Sequence, residues 1–223
     1  MIVITGASDG LGHEIAKLYK ASGKTVVNIS RGECSVADHN LVYDLSKGDQ
    51  IAAAVQAVLA LDEPLEVLIN CVGIWSEEPI GQMTEQVTQQ VLDVNAKAPM
   101  MVIAGLMERI RQDGTDILNV VSTAGLKGNK NHAAYVASKW AERGFTDSVR
   151  EELHDTPSRV IGFYPGGMKT KLFAKDLGKD ITDNGTYWMD PAAVAVCVKQ
   201  ILDLPKGIEV SEITLNRKKG FKG

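Results

Sequence analysis

Tyr135 and Lys139 stand four residues apart in the segment Asn131-His-Ala-Ala-Tyr135-Val-Ala-Ser-Lys139. On a helix this spacing puts both on one face, the lysine a turn beyond the tyrosine. An ammonium there stabilises a phenolate, so the phenol can pass a proton to or from a substrate oxygen. Ser122 ends the apolar run Val120-Val121, thirteen positions before Tyr135. A hydroxyl at the carboxyl end of a strand faces the crevice where ligands bind, where it can hydrogen-bond the same oxygen. A serine that simply ends the strand in Ser122-Thr-Ala-Gly125 is the plain alternative.

A second constellation opens the chain. Thr5-Gly6-Ala7-Ser8-Asp9-Gly10-Leu11-Gly12 follows the apolar run Ile2-Val3-Ile4 and leads into a helical pattern. Glycines allow a tight turn and a close backbone approach, while free amides at a helix start attract phosphate, so a nucleotide pyrophosphate fits here. The spacing Gly-x3-Gly-x-Gly differs from the commoner GxGxxG. Where a dinucleotide site selects NAD, an acidic residue closes the second strand and pairs with the ribose hydroxyls. This chain has Ser30-Arg31 instead. Serine leaves room for a 2′-phosphate and the guanidinium offers planar donors to it, which favours NADPH/NADP over NADH/NAD. Asp44 can accept from an adenine amino group or form a turn before Ser46.

Elements of alternating type must hold these residues. Apolar β-branched runs predict strands near 2–5, 25–30, 40–44, 66–70, 115–121, 158–164 and 208–215. Helical periods fall near 11–22, 48–61, 84–111, 132–154 and 191–203, the last with Asp190 as N-cap and Pro191 at the first helical position. Alternation of this kind predicts an α/β fold, a parallel sheet with helices on both faces. Only Arg31 to His39 join the second and third strands, which predicts a turn-rich link without a helix. The stretch 168–189 carries Lys169, Lys171, Lys175 and Lys179 beside Leu172, Phe173, Leu177 and Trp188, and reads as a substrate lid or a solvated surface helix. With 223 residues, 44% of them hydrophobic, one domain over 1–223 suffices. A net charge of −4 argues against nucleic acid as a partner. The longest apolar stretch, Met100 to Met107, falls well short of the ~20 residues that span a bilayer. Three scattered cysteines without CxxC and the lack of a secretory leader pattern point to a cytoplasmic protein with neither disulfides nor zinc. His132 and His154 have no metal-ligand spacing, so no metal is expected. Val87, Val91, Val94, Ala98, Val102 and Leu106 keep helical spacing and read as core or subunit contact. Trp75, Phe173 and Trp188 either line a cleft or simply pack.

Together these motifs resemble the short-chain dehydrogenase/reductase family, of the compact type, along nearly the whole chain. Gly6, Gly10 and Gly12 match its TGxxxGxG turn, Asp44 its adenine-contacting aspartate, and Asn70-Cys-Val-Gly73 is similar to its NNAG segment. Asn95 in Asp93-Val-Asn95, with Ser122, Tyr135 and Lys139, matches its catalytic positions, and Pro165-Gly166-Gly-Met168-Lys-Thr170 resembles its PG-x3-T segment. The resemblance implies a Rossmann-type sheet of seven strands in order 3-2-1-4-5-6-7. It implies cofactor contacts from Gly6, Ser8, Asp9, Gly10, Leu11, Gly12, Ser30, Arg31, Asp44, Leu45, Asn70, Val72, Gly73, Tyr135, Lys139, Pro165, Gly166, Met168 and Thr170. It further implies that Ser122 polarises a substrate carbonyl, Tyr135 donates the proton, and Lys139 binds the nicotinamide ribose. Asn95 is expected to bend its helix and hold a water joining Lys139 to solvent. A homodimer or homotetramer built on the 84–111 and Tyr135 helices is implied too.

Departures are visible. Cys71 and Val72 replace the second asparagine and the alanine of NNAG, and both the link after Arg31 and the region after Leu215 are short. The leading expectation is an NADP(H)-dependent oxidoreductase reversibly reducing a ketone, aldehyde or quinone to an alcohol. A catalytically silent dinucleotide sensor and a 3-oxoacyl carrier-protein reductase are the competing readings. Four intact polar groups, Asn95, Ser122, Tyr135 and Lys139, count against the sensor.

Overall fold

The computed structural model describes residues 1–172 and 188–218. The lid expected at 168–189 is therefore seen only at its two ends, and Phe173, Lys175, Leu177 and Lys179 lie outside the described residues. Seven parallel strands form one sheet: β1 (Ile2–Thr5), β2 (Val26–Ser30), β3 (His39–Val42), β4 (Val67–Asn70), β5 (Asp116–Val120), β6 (Val160–Pro165) and β7 (Glu212–Leu215), in the order β3-β2-β1-β4-β5-β6-β7. Around it lie α1 (Gly10–Ala21), α2 (Gly48–Leu59), α3 (Glu85–Leu92), α4 (Ala98–Asp113), α5 (Ala133–Glu152) and α6 (Pro191–Leu202).

Side-chain alternation along the strands builds two cores, because successive residues point to opposite faces. Val3, Val27, Leu68 and Ile117 face Ile51, Val55, Val102, Leu106 and Val149 of α2, α4 and α5. Ile2, Ile4, Ile69 and Leu118 face Ile15, Ala16, Val194 and Val198 of α1 and α6. Inner strands β1, β2, β4 and β6 are buried throughout, which is why they read as mainly apolar runs, with Asn28 a buried polar exception in β2. Edge strands β3 and β7 alternate in exposure.

The link between β2 and β3 has no helix, and side chains do its work. Asn40 Oδ1 accepts from the Cys34 amide (2.8 Å) and from Asn28 Nδ2 (2.9 Å). Asp38 Oδ2 accepts from the Val26 amide (2.9 Å). Cys34 is buried and plugs the apolar face that a crossover helix would cover. The helix expected over 84–111 is instead two helices joined by a π-turn, Asp93–Lys97, in which the Ala98 amide donates to the Asp93 carbonyl. Strand β7 begins at Glu212 rather than near 208, and before it the Ile208 carbonyl accepts from Arg159 Nη1 (3.1 Å) and the Glu209 carboxylate from the Val160 amide (2.9 Å). Neighbours of β1 are β2 on one side and β4 on the other, so the connections reverse there and leave a crevice at the carboxyl ends.

Candidate active site

The glycine turn fills that crevice. Gly6 has φ +77°, and a Cβ on it would stand 3.0 Å from the Val72 backbone. A Cβ on Gly12 would meet the Gly6 carbonyl oxygen at 2.5 Å. The first glycine thus permits the turn against the end of β4, and the third lets α1 sit directly on it. Asp9 caps α1 by accepting from the Gly10 amide at 2.8 Å. Thr5 Oγ1 accepts from the amides of Cys71 (3.1 Å) and Val72 (3.2 Å), which ties the ends of β1 and β4 together.

A cleft of ≈ 1290 Å³ runs across the strand ends, more than one drug-sized ligand fills. Of the residues singled out in the sequence, Gly6, Ser8, Asp9, Gly10, Leu11, Ser30, Arg31, Asp44, Leu45, Val72, Gly73, Ser122, Tyr135, Lys139, Pro165, Gly166, Met168 and Thr170 line it. Three do not. Gly12 packs beneath the turn. Asn70 is buried, with its Nδ2 donating to Asn119 Oδ1 at 2.9 Å. Its side chain thus bridges β4 and β5 beneath the cleft. Asn95 is fully buried in the π-turn, where it clamps the backbone of Ile74. Its Oδ1 accepts from the Ile74 amide (2.8 Å), while Nδ2 donates to the Ile74 carbonyl (2.9 Å) and lies 3.1 Å from Ser138 Oγ.

At one end of the cleft, the Ser30 hydroxyl is spent on its own loop, within reach of the Gly32 carbonyl (2.7 Å) and Asn28 Oδ1 (3.0 Å). Arg31 is exposed and makes no hydrogen bond or ion pair among the described residues. Asp44 accepts from the amide and hydroxyl of Ser46 (3.1 and 2.8 Å). Burial works to raise its carboxyl, but the Ser46 hydrogen bonds and the nearby Arg31 charge hold it below the usual range. Both readings of Asp44 therefore meet in one residue, a turn former at the cleft wall.

At the other end stand Ser122, Tyr135 and Lys139. Ser122 has φ 145° and ψ 156°, a region nearly confined to glycine, and its Oγ accepts from the Ala124 amide at 3.1 Å. Lys139 is 3% exposed, and its Nζ donates to the Val120 carbonyl (3.0 Å) and to Glu142 Oε2 (2.6 Å). Trp75 packs at a tilt against His132 and Tyr135, its ring centroid 4.4 and 4.7 Å from theirs. Thr170 reaches back over the turn, within 3.3 Å of where a Gly10 Cβ would stand. Burial pushes the Cys71 thiol up to about 12, so it stays neutral. Among the described residues no group of three or more His, Cys, Asp or Glu could hold a metal, and no helix is long and apolar enough to cross a membrane.

Glu142, Ser138 and Trp75 with His132 carry more of this site than their sequence positions announced. Glu142 was readable in principle, as an acid three residues after Lys139 on the face of α5 that must be buried.

The chain belongs to the short chain dehydrogenase family of oxidoreductases, whose pattern matches residues 1–180. An uncharacterised oxidoreductase of Staphylococcus saprophyticus is 26% identical over 228 residues, 96% of this chain and 95% of that protein. Serine dehydrogenase complexed with NADP+ superposes with a TM-score of 0.87 at 22% identity, over 100% of this chain and 99% of that one. A 4-hydroxyisoleucine dehydrogenase complexed with NADH and succinate gives 0.80 at 24% identity, over 96% and 97%. The seven-stranded sheet of this chain is of the Rossmann type, in keeping with these superpositions.

Proposed function

We propose that this chain is an NADP(H)-dependent oxidoreductase that interconverts a carbonyl compound and its alcohol. The observation that carries this reading is the meeting of Ser122, Tyr135 and Lys139 in one cleft with the glycine turn and Arg31. That cleft suits a dinucleotide by its donor set: an uncommitted guanidinium at one end, a helix start with glycine-turn amides in the middle, and an ammonium at the other. Bound there, the nicotinamide would supply or accept the hydride. Arg31 and Asp44 would hold the adenosine end, the former by pairing with the 2′-phosphate. Gly6, Ser8, Asp9, Gly10 and Leu11 would receive the pyrophosphate. Leu45, Val72, Gly73, Pro165, Gly166, Met168 and Thr170 would wall in the rest.

Ser122 would donate its hydroxyl to the substrate oxygen and Tyr135 would transfer the proton to it. Lys139 would favour the phenolate left behind, so that alcohol oxidation runs by the reverse transfer. Trp75 and His132 would shape the substrate side. Two relatives of this fold are described with NADP+ and with NADH, so the fold leaves cofactor choice to the residues ending β2. We take the chain as one domain acting in the cytoplasm as a homodimer or homotetramer. Exposed Met101 on α4 and Trp140 on α5 support subunit contact there, and sedimentation at micromolar concentration tests it.

A panel of ketones, aldehydes and quinones with NADPH, with Tyr135→Phe as control, tests the activity. Turnover that disappears in the control supports the reading. Tight NADPH binding without turnover on any member would favour the sensor instead.

A further inference from the structure

Helix α5 buries a carboxylate directly behind the cleft. Glu142 is 2% exposed, and its Oε2 lies 2.6 Å from Lys139 Nζ. On neighbouring elements, Cys71 feels the Glu142 charge as a protonated thiol, and Asn70 and Asn119 are neutral, bonded to each other and, through Asn119, to Thr146. On α5 itself, Thr146 donates to the Glu142 carbonyl (2.7 Å), and Tyr135 stands one turn before Lys139. No other carboxylate among the described residues lies within ion-pair distance of Lys139.

We propose that Glu142 is a positioning residue for the reaction, the fixed counter-charge that keeps Lys139 protonated and holds its ammonium between Val120 and the cleft. The proposal rests on the reading of Tyr135 and Lys139 given above. A buried ion pair offers little stability over apolar packing of the same volume, so stability alone does not account for an acid here. Charge at Lys139 does. Burial works against the ammonium, but the Glu142 carboxylate, with smaller help from Tyr135 and Cys71, raises the lysine above its ordinary value. Burial also pushes Glu142 up to about 7, against the pull of the ammonium, so the counter-charge is present above that pH.

The sign of the effect is fixed. A carboxylate makes each further proton harder to remove from the cluster of Tyr135, Lys139 and Glu142. Replacing it by a neutral amide lets the first proton leave Tyr135 or Lys139, whichever gives it up, at lower pH than it does beside the carboxylate. Carbonyl reduction needs Tyr135 protonated and Lys139 charged, so its alkaline limb must move down.

The experiment measures kcat and KM for the best carbonyl substrate with NADPH across the pH range, in wild type, Glu142→Gln and Glu142→Asp. Lysine ζ-15N NMR of the same proteins follows the Lys139 ammonium without turnover. Glu142→Gln is expected to lower the alkaline limb by about one pH unit or more, with KM little changed and the Lys139 ammonium lost at lower pH. Glu142→Asp, which keeps the charge on a shorter stem, is expected to move both readouts the same way by less. A folded Glu142→Gln protein with the wild-type limb and the wild-type ammonium overturns the proposal. If the glutamine variant does not fold, wild-type behaviour of Glu142→Asp overturns it. Full activity in Tyr135→Phe would instead overturn the reading of the site, and the role of Glu142 with it.

Discussion

Ser30 and Arg31 divide their labour at the end of β2. The serine hydroxyl is held by the loop it closes, and only the guanidinium is free to meet a ligand. In the proposed NADP(H) site, serine would act by the charge it lacks, and arginine by the charge it carries. Arg31→Leu is expected to weaken NADPH binding about ten to a hundredfold, since a charge-assisted hydrogen bond contributes ~1.5–3 kcal/mol, and to leave NADH binding nearly unchanged. Ser30→Asp should push preference toward NADH, by repulsion and by loss of the loop hydrogen bond. Titration of both cofactors into each variant checks this, and equal losses for both would refute phosphate reading by Arg31. Tyr135→Phe removes one hydroxyl. Turnover is expected to fall about 10² to 10⁴-fold with NADPH binding kept, because general acid catalysis has that worth. Retention of more than about a tenth of the activity would exclude Tyr135 as the proton donor. Tyr135, Lys139 and Ser122 were legible because their relation is local: one helical turn, and one strand end. The bridge from Asn70 to Asn119 was not legible, because the two come from different strands and no local spacing records their pairing.

Elements fix these side chains by close approach and by breaks in regularity. Gly12 is a close approach: the Cβ of an alanine there would stand 2.5 Å from a backbone oxygen that cannot swing aside. Gly12→Ala is expected to lower the melting temperature and to weaken NADPH binding together, since α1 must lift off the turn that its start serves. Stability lost with binding intact would show that the turn does not depend on that seat. The π-turn at Asp93–Lys97 is a break. A regular helix fits the apolar spacing from Val87 to Leu106, so the sequence reads as one helix, yet the extra residue per turn accompanies the inward placement of Asn95 against Ile74. What the spacing cannot reveal is a side chain that satisfies the backbone of a distant loop. Asn95→Ala would leave the partly buried amide and carbonyl of Ile74 without their partner, at up to about 1–3 kcal/mol each. Destabilisation by denaturant should reach at least the lower end of that range. A change below ~0.5 kcal/mol would mean that Ile74 finds other partners. The helix-free link from β2 to β3 was readable, because eight residues leave no room for a helix, but the asparagines and Asp38 that make it work were not.

At the scale of the whole molecule, the two cores share one sheet, so neither can unfold without exposing the other's strands. Val3 faces one core while Ile2 and Ile4 face the other. A single cooperative transition is the expected consequence. The cleft reinforces it, for its walls come from the ends of β2, β5 and β6, the turns that follow β1 and β4, and the start of α1, and a ligand lying across them binds the folded chain alone. Mass action then sets the size of the effect. NADPH at 100 times its dissociation constant adds about 2.7 kcal/mol, and for a chain of this length each kcal/mol raises the melting temperature by roughly 2–4 °C, so a rise of about 5–10 °C is expected. NADP+ should raise it as well, and NADH less at equal concentration if Arg31 reads the phosphate. Calorimetry with and without cofactor gives both answers. Two separated transitions would divide the chain into independent units, and a melting curve indifferent to saturating NADPH and NADP+ would remove the dinucleotide from the cleft altogether.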